Sequence, residues 1–575
     1  MPYCRWVLRA PPGSFSAEVA LRRSASASAL LSDLEERLSA AARRPGPEEA
    51  DLTELTTAAG GDPAVQQEVG RIGLQRLHTV QAVGNQTSLS LTSPDSSQEL
   101  GEILVPGCTP AVVKTCDRNN TERTLTGECN HVEAPYVGRS LTGLGRLSAA
   151  TYEDLLFFSP RSSSSAGSPL PAPERAAVPL AATLSDGPLS GWAAAWSESL
   201  RRDLARIVPF RLPDGREPDC CSERHPACLP LTVAHRCVSC VRALPAPELD
   251  CLMRPAAPLS AASSYLDLET LYGSSEEAGR RLRTLNGGRL RDELEPQQDV
   301  LDQNHPLWED ERLFQTARRV VIAQWQHITY REYLPHILGA DAARATSLAP
   351  EDGDVDPTVS VEFAAAAFRF WQRPKKEHQK KTQKVMRTTR SFLDILRKTS
   401  ALKDYASFVS GPSPTLELAS VEVLRGRDLG LPSYTAVRQL CSGQSVTSWT
   451  DLETVFERRH LEELRAIYSS PDDIDLWVGG MLERRAPSAK VGTTFQCVIA
   501  DQFRRLRDGD RLFYERSLSG EQLREVRKAS LARLLCDNEK GRGAATPLVL
   551  EPLSNRNQMT PCESENIPKV NLSVF

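Results

Sequence analysis

Apolar residues recur at steps of three and four positions in several parts of the chain, a spacing that predicts amphipathic α-helices. The pattern is clearest in WEDERLFQTARRVVIAQWQHITYREYLPHILG, residues 308–339. Its apolar face consists of Phe314, Ala317, Val321, Trp325 (with Gln324 beside it) and Ile328. Pro335 and Gly339 predict the end of this helix.

The same periodicity predicts further helices over 191–206, 358–371, 386–408, 451–468, 492–507 and 520–536. The strict alternation of apolar and polar residues that is typical of β-strands is scarce. The fold class is therefore predicted to be mainly α.

Composition divides the 575 residues into a leader and a main domain. Residues 1–105 are rich in Ala, Ser, Leu and Glu and are expected to form a detachable helical leader, and 106–575 carries nearly all the cysteines. The low-complexity run SPRSSSSAGSPLPAPERAA, 159–177, is predicted to be an exposed loop. Because no stretch reaches the roughly 18 apolar residues that cross a bilayer, we expect no transmembrane segment.

Charge gives little indication of a partner, with one exception. The net charge of −5 is small for this length, so nucleic acid is not an expected partner. Residues 373–390, RPKKEHQKKTQKVMRTTR, carry eight cations. Such a run can contact heparin or another polyanion, and the alternative is a solvated helix or loop.

Fourteen cysteines indicate an oxidising compartment. Disulfides are favoured over zinc around 220–251, since only Cys237 and Cys240 form a CxxC unit there. Glycosylation sequons begin at Asn85, Asn119 and Asn571, which agrees with secretion. The start MPYCRWVLRAPPGSF has no apolar signal-peptide core, so we expect the true N-terminal segment to be missing.

Several stretches together resemble the animal haem peroxidases, the family of myeloperoxidase, lactoperoxidase, thyroid peroxidase and peroxidasin. Besides 308–339, they are CDRNNTERTLTGECN (116–130), SSYLDLETLYGSSEEAGRRLR (263–283), LRGRDLGLPSYTAVRQLC (424–441), DDIDLWVGGMLE (472–483) and ADQFRRLRDGDRLFYE (500–515). The resemblance implies one large helical domain, a propeptide that matches LRRSASASALLSDL (21–34), a haem b cofactor and oxidation of a donor by H2O2. It also implies that His327 is a packed core residue and not an iron ligand.

The resemblance places the distal helix of the family on WSESLRRD, Trp196 to Asp203. Arg202 then occupies the position of the catalytic histidine, and Glu198 that of a glutamine. That histidine must take a proton from peroxide and return it to the departing oxygen. A guanidinium group cannot accept a proton near neutral pH. We therefore expect the family's route to peroxide activation to be lost.

On the proximal side, AFRFWQ (367–372) puts Gln372 at the position of the iron-ligating histidine. The asparagine that partners this histidine in the family corresponds to Glu422. An amide oxygen is a poor haem ligand beside imidazole. Both members of the pair have changed, so we expect this chain not to hold haem b as the family does.

The segment that carries the catalytic arginine in the family is much shorter here, between 284 and 304, and Arg291 is the one weak match. We conclude from the sequence that the chain is a pseudo-peroxidase. One alternative is an active haem peroxidase represented by an incomplete or alternatively spliced chain, shortened over 284–304 and 372–416. The other is a heparin- or polyanion-binding protein.

The resemblance further implies a structural Ca²⁺ beside the distal helix. Its ligands would be Asp203, Ser263, the carbonyl of Tyr265, Asp267 and Glu269, the last in place of a serine. Hard oxygen ligands on alternate residues of an extended loop suit this ion. The alternative is that Asp203 and Asp267 only cap or pair with neighbouring groups.

Disulfide pairs carry over from the family as Cys116–Cys129, Cys441–Cys497 and Cys536–Cys562. The group of Cys220, Cys221, Cys228 and Cys251 is expected to form two more, with the connectivity open. Cys4, Cys108, Cys237 and Cys240 have no assignment, and Cys108 is a candidate for a disulfide-linked dimer.

Overall fold

The computed structural model describes residues 62–87, 115–183, 190–247, 256–286, 290, 304–305, 307–346, 355–370, 414–538 and 543–575, and the isolated residues 29, 32 and 33. Several predictions fall outside these ranges. They concern the helix over 386–408, the basic run 373–390, Arg291, Gln372, Cys4, Cys108 and Cys251.

The first half of the chain alternates helices with short strands. Its elements are α1 (Pro63–Thr87), β1 (Thr142–Gly143), α2 (Pro173–Thr183), α3 (Gly191–Leu204), β2 (Leu231–Val233), β3 (Arg236–Val238), β4 (Leu259–Ser260), α4 (Glu269–Tyr272) and α5 (Glu276–Leu282).

The middle is helical. It consists of α6 (Asp310–Ile328), a π-helical turn (Thr329–Tyr333), α7 (Leu334–Leu338), α8 (Ala340–Ala345), α9 (Val361–Ala365) and a 3₁₀ turn (Ala367–Arg369).

After residue 413 the chain forms α10 (Pro414–Asp428), α11 (Tyr434–Ser442), a 3₁₀ turn (Trp449–Leu452), α12 (Arg458–Ile467), a 3₁₀ turn (Pro471–Asp473), α13 (Leu476–Leu482), α14 (Thr493–Asp508), α15 (Tyr514–Ser517), α16 (Gly520–Val526), α17 (Leu531–Asn538), β5 (Ala544–Ala545), β6 (Thr560–Pro561) and a 3₁₀ turn (Leu572–Val574).

The strands form three small antiparallel ladders, β1–β4, β2–β3 and β5–β6. Thr142 is paired with Ser260, and Thr232 with Cys237. Helices supply most of the core, so the mainly α prediction is confirmed. Among the described residues, no helix is both long and apolar enough to cross a membrane.

Helix α6 is the central core helix. The predicted apolar face is buried at Phe314, Ala317, Trp325 and Ile328, while Val321 is partly buried against the core. Trp325 packs against Trp196 of α3 with ring centroids 4.2 Å apart and the ring planes inclined by 38°. This contact fixes α3, which carries the predicted distal positions, against the middle of the domain.

The predicted end at Pro335 is wrong, because the chain stays helical through this residue. A proline inside an α-helix lacks the N–H donor and its ring clashes with a carbonyl one turn earlier. The π-helical turn before it widens the hydrogen-bonding step, so that Leu334 N–H bonds the carbonyl of Thr329. The helix ends at Gly339, whose φ of +80° is costly for other residues.

Part of the predicted leader packs on the main domain. In α1, Gln67 Nε2 donates to the Pro209 carbonyl (2.9 Å), and Gln67 Oε1 accepts from Arg211 N–H (2.8 Å). His78 stacks on Phe158 with centroids 4.5 Å apart. Helix α1 is thus tied to residues of 106–575 by specific contacts, and a cleavage that frees the whole of 1–105 would have to break them.

The predicted loop over 159–177 is wrong at its C-terminal end. Residues 173–177 begin α2, with Pro173 in the first helical position, where its missing N–H costs nothing. Ala176 and Ala177 are fully buried. The proline- and alanine-rich composition suggested a loop, but here the proline starts a helix whose small residues allow close packing.

Five disulfides lie in the described part of the chain: Cys116–Cys129, Cys220–Cys228, Cys221–Cys237, Cys441–Cys497 and Cys536–Cys562. Three of them are the pairs that the family resemblance implies. The expectation that Cys220, Cys221, Cys228 and Cys251 form two disulfides among themselves is confirmed for Cys220–Cys228 and wrong for Cys221. Cys221 pairs with Cys237 of β3, which had no assignment from sequence, and their Cα atoms lie 5.8 Å apart. Among the described cysteines, Cys240 has no disulfide partner, and Cys251 lies outside the described residues.

Candidate functional site

Helix α3 begins at Ser190, whose side chain accepts a hydrogen bond from Ala193 N–H. Trp196 is buried and donates from Nε1 to Thr329 Oγ1 at 3.2 Å. Ser197 and Tyr333 share a hydrogen bond of 2.6 Å between their hydroxyl groups. These contacts hold α3 against the helix that contains the π turn and set the orientation of the residues that follow.

Glu198, the next residue of α3 after Ser197, forms ion pairs with two arginines. Arg201 approaches it with both Nε (2.8 Å) and Nη2 (2.6 Å), and Arg202 donates from Nε to Oε1 (2.8 Å). Glu198 is only 3% exposed. The residue at the predicted catalytic-histidine position is therefore engaged in a buried ion-pair cluster with the residue at the glutamine position.

The two arginines set the protonation state of Glu198. Burial alone would raise the pKa of Glu198, but Arg201 and Arg202 outweigh it and hold the pKa below its ordinary value. Glu198 is thus an ionised carboxylate whose oxygens are used by guanidinium groups. Neither it nor Arg202 is placed to take a proton from a peroxide at neutral pH.

At the positions predicted to be proximal, Glu422 of α10 pairs with Arg369 Nη2 and is 3% exposed. Arg369 in turn accepts a hydrogen bond from Trp477 Nε1 through its carbonyl (3.3 Å). The asparagine position of the family thus carries a charged group committed to an arginine. Gln372, the predicted ligand position, and Arg291 lie outside the described residues, so their assignments stay predictions.

Three of the described histidines contact aromatic side chains. His327 is buried, with Nδ1 3.1 Å from the Tyr514 hydroxyl, and burial lowers its pKa to about 4. His225 packs on Phe210 and has its pKa lowered to about 4 by the same cause. His305 stacks on Trp308. The prediction that His327 is a packed core histidine agrees with these contacts.

Asp203, which follows Arg202, caps the loop before α4. Its carboxylate accepts from the backbone N–H groups of Leu268 (3.2 Å) and Glu269 (2.8 Å) and from Trp325 Nε1 (3.1 Å). Its exposure is 0%. Burial and the nearby Asp267 and Glu269 raise its pKa well above the ordinary value.

Asp267 and Glu269 complete a buried cluster of three carboxylates. Glu269 accepts from Ser263 N–H (2.7 Å) and from Arg206 Nη2 (2.6 Å), and burial raises its pKa to about 7. Asp267 accepts from Ser263 Oγ (3.0 Å), while its Oδ1 has no hydrogen-bond partner. Tyr265 lies between Ser263 and Asp267 in the sequence, and its hydroxyl donates to the Val137 carbonyl (2.9 Å).

This cluster differs from a formed metal site. Across the described ranges no group of three or more His, Cys, Asp or Glu side chains has the arrangement of a metal centre. Asp203 is used by backbone donors and Glu269 by Arg206, as in the capping and pairing alternative. Asp267 Oδ1 remains the oxygen that a cation could recruit.

A neighbouring network of charged and polar groups around Asp510 was not predicted from the sequence. Asp510 is 1% exposed and accepts from Arg123 Nη2 (2.6 Å), Asn130 Nδ2 (2.8 Å) and Gln326 Nε2 (3.2 Å). The stretches 116–130 and 500–515 were both recognised as family-like. Their pairing across almost 400 residues could not be inferred, because no local pattern links them.

Comparison with known proteins identifies the scaffold. The family model described as animal haem peroxidase matches residues 122–302, 297–393 and 396–550. Chorion peroxidase of Drosophila melanogaster is 30% identical over 579 residues, covering 79% of this chain and 70% of the relative. Peroxidase mlt-7 of Caenorhabditis elegans is 27% identical over 543 residues, covering 78% of this chain and 73% of the relative.

Among solved structures, Peroxidase A from Dictyostelium discoideum superposes with a TM-score of 0.53 at 22% identity. The match covers 76% of this chain and 99% of that one. A fatty acid alpha-dioxygenase from Oryza sativa gives a TM-score of 0.52 at 16% identity, over 82% and 95% of the two chains. At these identities the likeness concerns the fold alone.

Proposed function

Because this chain belongs to the animal haem peroxidase family, we propose that it is a pseudo-peroxidase. It keeps the helical scaffold of the family and serves as a secreted binding or structural protein without peroxide turnover. The observation that carries the proposal is the ion pair between Arg202 and the buried Glu198 on α3.

Haem peroxidase chemistry needs a distal group that accepts and returns a proton, next to an open position for peroxide. Here α3 presents guanidinium groups that cannot accept a proton, and a carboxylate that they already occupy. The described residues on this side do not fit a working haem site.

A direct test is peroxide-dependent oxidation of a dye by the purified protein supplied with haemin. We expect no rate above that of the same concentration of free haemin. A clearly higher rate, abolished by heat denaturation of the protein, would show that the chain turns over peroxide and would overturn the proposal.

The alternative of an incomplete or alternatively spliced active chain has its own supporting observation. The family model matches in three pieces, whose junctions fall at 297–302 and 393–396. Both junctions lie in the segments predicted to be shortened, 284–304 and 372–416. Sequencing of full-length transcripts across the two segments tests it: added residues there support this alternative, and an unchanged sequence contradicts it. Arg202 lies in neither segment, so added residues alone would not supply the distal histidine.

We propose Ca²⁺ as a structural ion of the loop formed by Ser263, Tyr265, Asp267 and Glu269, together with Asp203. The unpartnered Asp267 Oδ1 supports the proposal, since a buried carboxylate oxygen without a donor is stabilised by a cation. The melting temperature should then rise in 1 mM CaCl2 relative to EDTA, by linkage. Asp267→Asn should abolish the rise, and the exposed Asp341→Asn should retain it. Equal melting temperatures in CaCl2 and EDTA would contradict the proposal.

Export is proposed from the disulfides, which form in oxidising compartments. Exposed Asn119 and Asn571 are accessible to a glycan, and the side chain of Asn85 lies outside the described residues. Expression in secretory cells followed by deglycosylation tests this proposal. A mobility shift that is reduced in Asn119→Gln supports it, and protein found only inside the cells contradicts it.

Two contacts are proposed from sequence features that lie outside the described residues. The eight cations of 373–390 suit a polyanion such as heparin, and Cys108 suits a disulfide-linked dimer. Heparin retention should be lost when the five lysines of this run are changed to glutamine. A dimer band on non-reducing gels should be absent in Cys108→Ser. Retention or a band that survives the change would contradict the respective proposal.

A further inference from the structure

A cavity of about 250 Å³ lies beside α6 and is lined by none of the residues of α3 or α10. Its wall is formed by residues from three parts of the chain: 121–123, 308–326 and 512–517, with Phe575. A volume of this size holds a small molecule, since one water occupies roughly 30 Å³ of liquid.

The wall of this cavity is cationic. Arg123, Arg312, Arg318 and Arg319 line it, and Glu122 is the acidic residue among its lining residues. Arg123 is already neutralised by Asp510, which is 2.6 Å away. Three guanidinium groups therefore face one carboxylate side chain and the terminal carboxylate of Phe575, and the cavity carries an excess of positive charge.

Within the part of the chain that the structure describes, two of these arginines have donors without acceptors. Arg318 is 2% exposed and uses Nη1 and Nη2 on the carbonyls of Arg123 and Thr124, but its buried Nε has no partner. The buried Nε of Arg319 also has none. Burial lowers the pKa of both arginines. A buried donor without an acceptor in a native protein points to a missing ion, water or ligand.

An apolar and aromatic surface lies beside the charges. Trp308, Ile322 and Leu512 belong to the same wall. Arg312 lies over the Trp308 ring, with its Cζ 4.1 Å from the ring centroid. A flat apolar body can pack against this surface while an anionic group meets the arginines, as is usual for small-molecule sites.

We propose that this cavity binds a small organic anion with a flat apolar body, of the class of aromatic carboxylates. The carboxylate accepts charge-assisted hydrogen bonds from Arg319 and Arg312, and the ring packs against Ile322 and Leu512. Guanidinium groups suit this role because their planar donors match the two carboxylate oxygens. Glu122 opposes the ligand, since it supplies the competing negative charge near Arg319.

The test is calorimetric titration of the intact protein with benzoate at low ionic strength. We expect saturable binding, and binding of the neutral isostere benzamide weaker by roughly tenfold or more, the usual value of a charge-assisted hydrogen bond. Arg319→Gln should weaken benzoate binding by a similar factor. Arg504→Gln, an exposed helical arginine outside the cavity, is the matched control and should not change it.

A second variant gives a change of the opposite sign. Glu122→Gln removes the competing carboxylate and should tighten benzoate binding severalfold. This result does not depend on whether Arg319→Gln folds. No saturable benzoate binding up to about 10 mM, or equal binding of benzoate and benzamide, would overturn the proposal. Inorganic phosphate that binds as tightly as benzoate would overturn the role of the apolar wall. None of these results bears on haem binding, so the two proposals fail independently.

Discussion

Arg202 donates from Nε to Glu198 Oε1 across 2.8 Å, one turn apart on a helix whose neighbouring tryptophan is buried. The pair lies at the positions where the family resemblance expects a histidine and a glutamine. An ionised carboxylate held by two arginines stabilises the helix locally. On the pseudo-peroxidase proposal, the pair stands where peroxide activation would require a proton acceptor.

Glu198→Gln tests the energetic role of this cluster. The variant leaves Arg201 and Arg202 without their carboxylate at a site where Glu198 is 3% exposed. Removal of one partner of a buried pair costs about 3–5 kcal/mol, and the amide oxygen of glutamine recovers part of it, so we expect a loss of roughly 2–4 kcal/mol. Urea unfolding followed by circular dichroism measures this loss.

Glu462→Gln is the matched control, because Glu462 also pairs with the Nε of an arginine four residues away, Arg458, at 2.9 Å. That pair is exposed, and exposed pairs contribute about 0–1 kcal/mol. Equal losses in the two variants would show that the cluster on α3 has no special role in stability.

Gly479→Ala tests the packing of α13 on α11. A Cβ atom added at Gly479 would lie 2.2 Å from Cγ of Tyr434, whose exposure is 0%. The Cγ atom of a tyrosine lies close to the backbone and cannot move aside as the end of a flexible side chain can. We therefore expect a loss of about 1–3 kcal/mol or more in the free energy of unfolding. Gly520→Ala, where the added Cβ meets nothing within 4 Å, should cost little. Similar stabilities of the two alanine variants would contradict this packing.

Glu332→Gln tests the effect of a buried carboxyl group on the pH dependence of stability. Glu332 accepts a hydrogen bond from Leu531 N–H at 2.9 Å, and burial raises its pKa to about 7. Because the pKa is higher in the folded state than in the unfolded one, the folded state binds the proton more tightly. The stabilising contribution is complete below about pH 4.3, the ordinary glutamate pKa, and is lost as the pH rises through 7.

The free energy of unfolding of the unaltered protein should therefore fall relative to Glu332→Gln between pH 5 and 8. After a discount for the partial exposure of Glu332, we expect a change of roughly 1–2 kcal/mol. The exposed Glu565→Gln serves as the control and should follow the unaltered protein. A difference between Glu332→Gln and the unaltered protein that does not vary with pH would contradict the assignment.

The sequence predicts those helices whose apolar residues keep a regular period. The predicted ranges 191–206 and 492–507 correspond to α3 and α14 within two residues at each end. The range 451–468 is divided into a 3₁₀ turn and α12, since periodicity does not detect a turn between two apolar segments. Local pattern thus identifies the strongest helices and misses interruptions.

Helix α10 was not predicted from periodicity, for a physical reason. It buries polar residues that form ion pairs: Arg427 with Asp475 and Asp428 with Arg242. A sequence pattern counts such residues as solvent-exposed, so the apolar stripe is obscured. The positions of Arg202 and Glu422 could be identified by resemblance. The ion pairs of Arg201 with Glu198 and of Arg123 with Asp510 depend on side-chain placement, so they could not be predicted from the sequence.

The most direct test of the pseudo-peroxidase account is a spectroscopic titration of the purified protein with haemin. We predict no saturable Soret band beyond that of free haemin, and the same spectral change on addition of cyanide as haemin shows without the protein. A stoichiometric Soret band with the spectrum of a nitrogen-ligated haem would contradict the account and restore peroxide chemistry as the function of this chain.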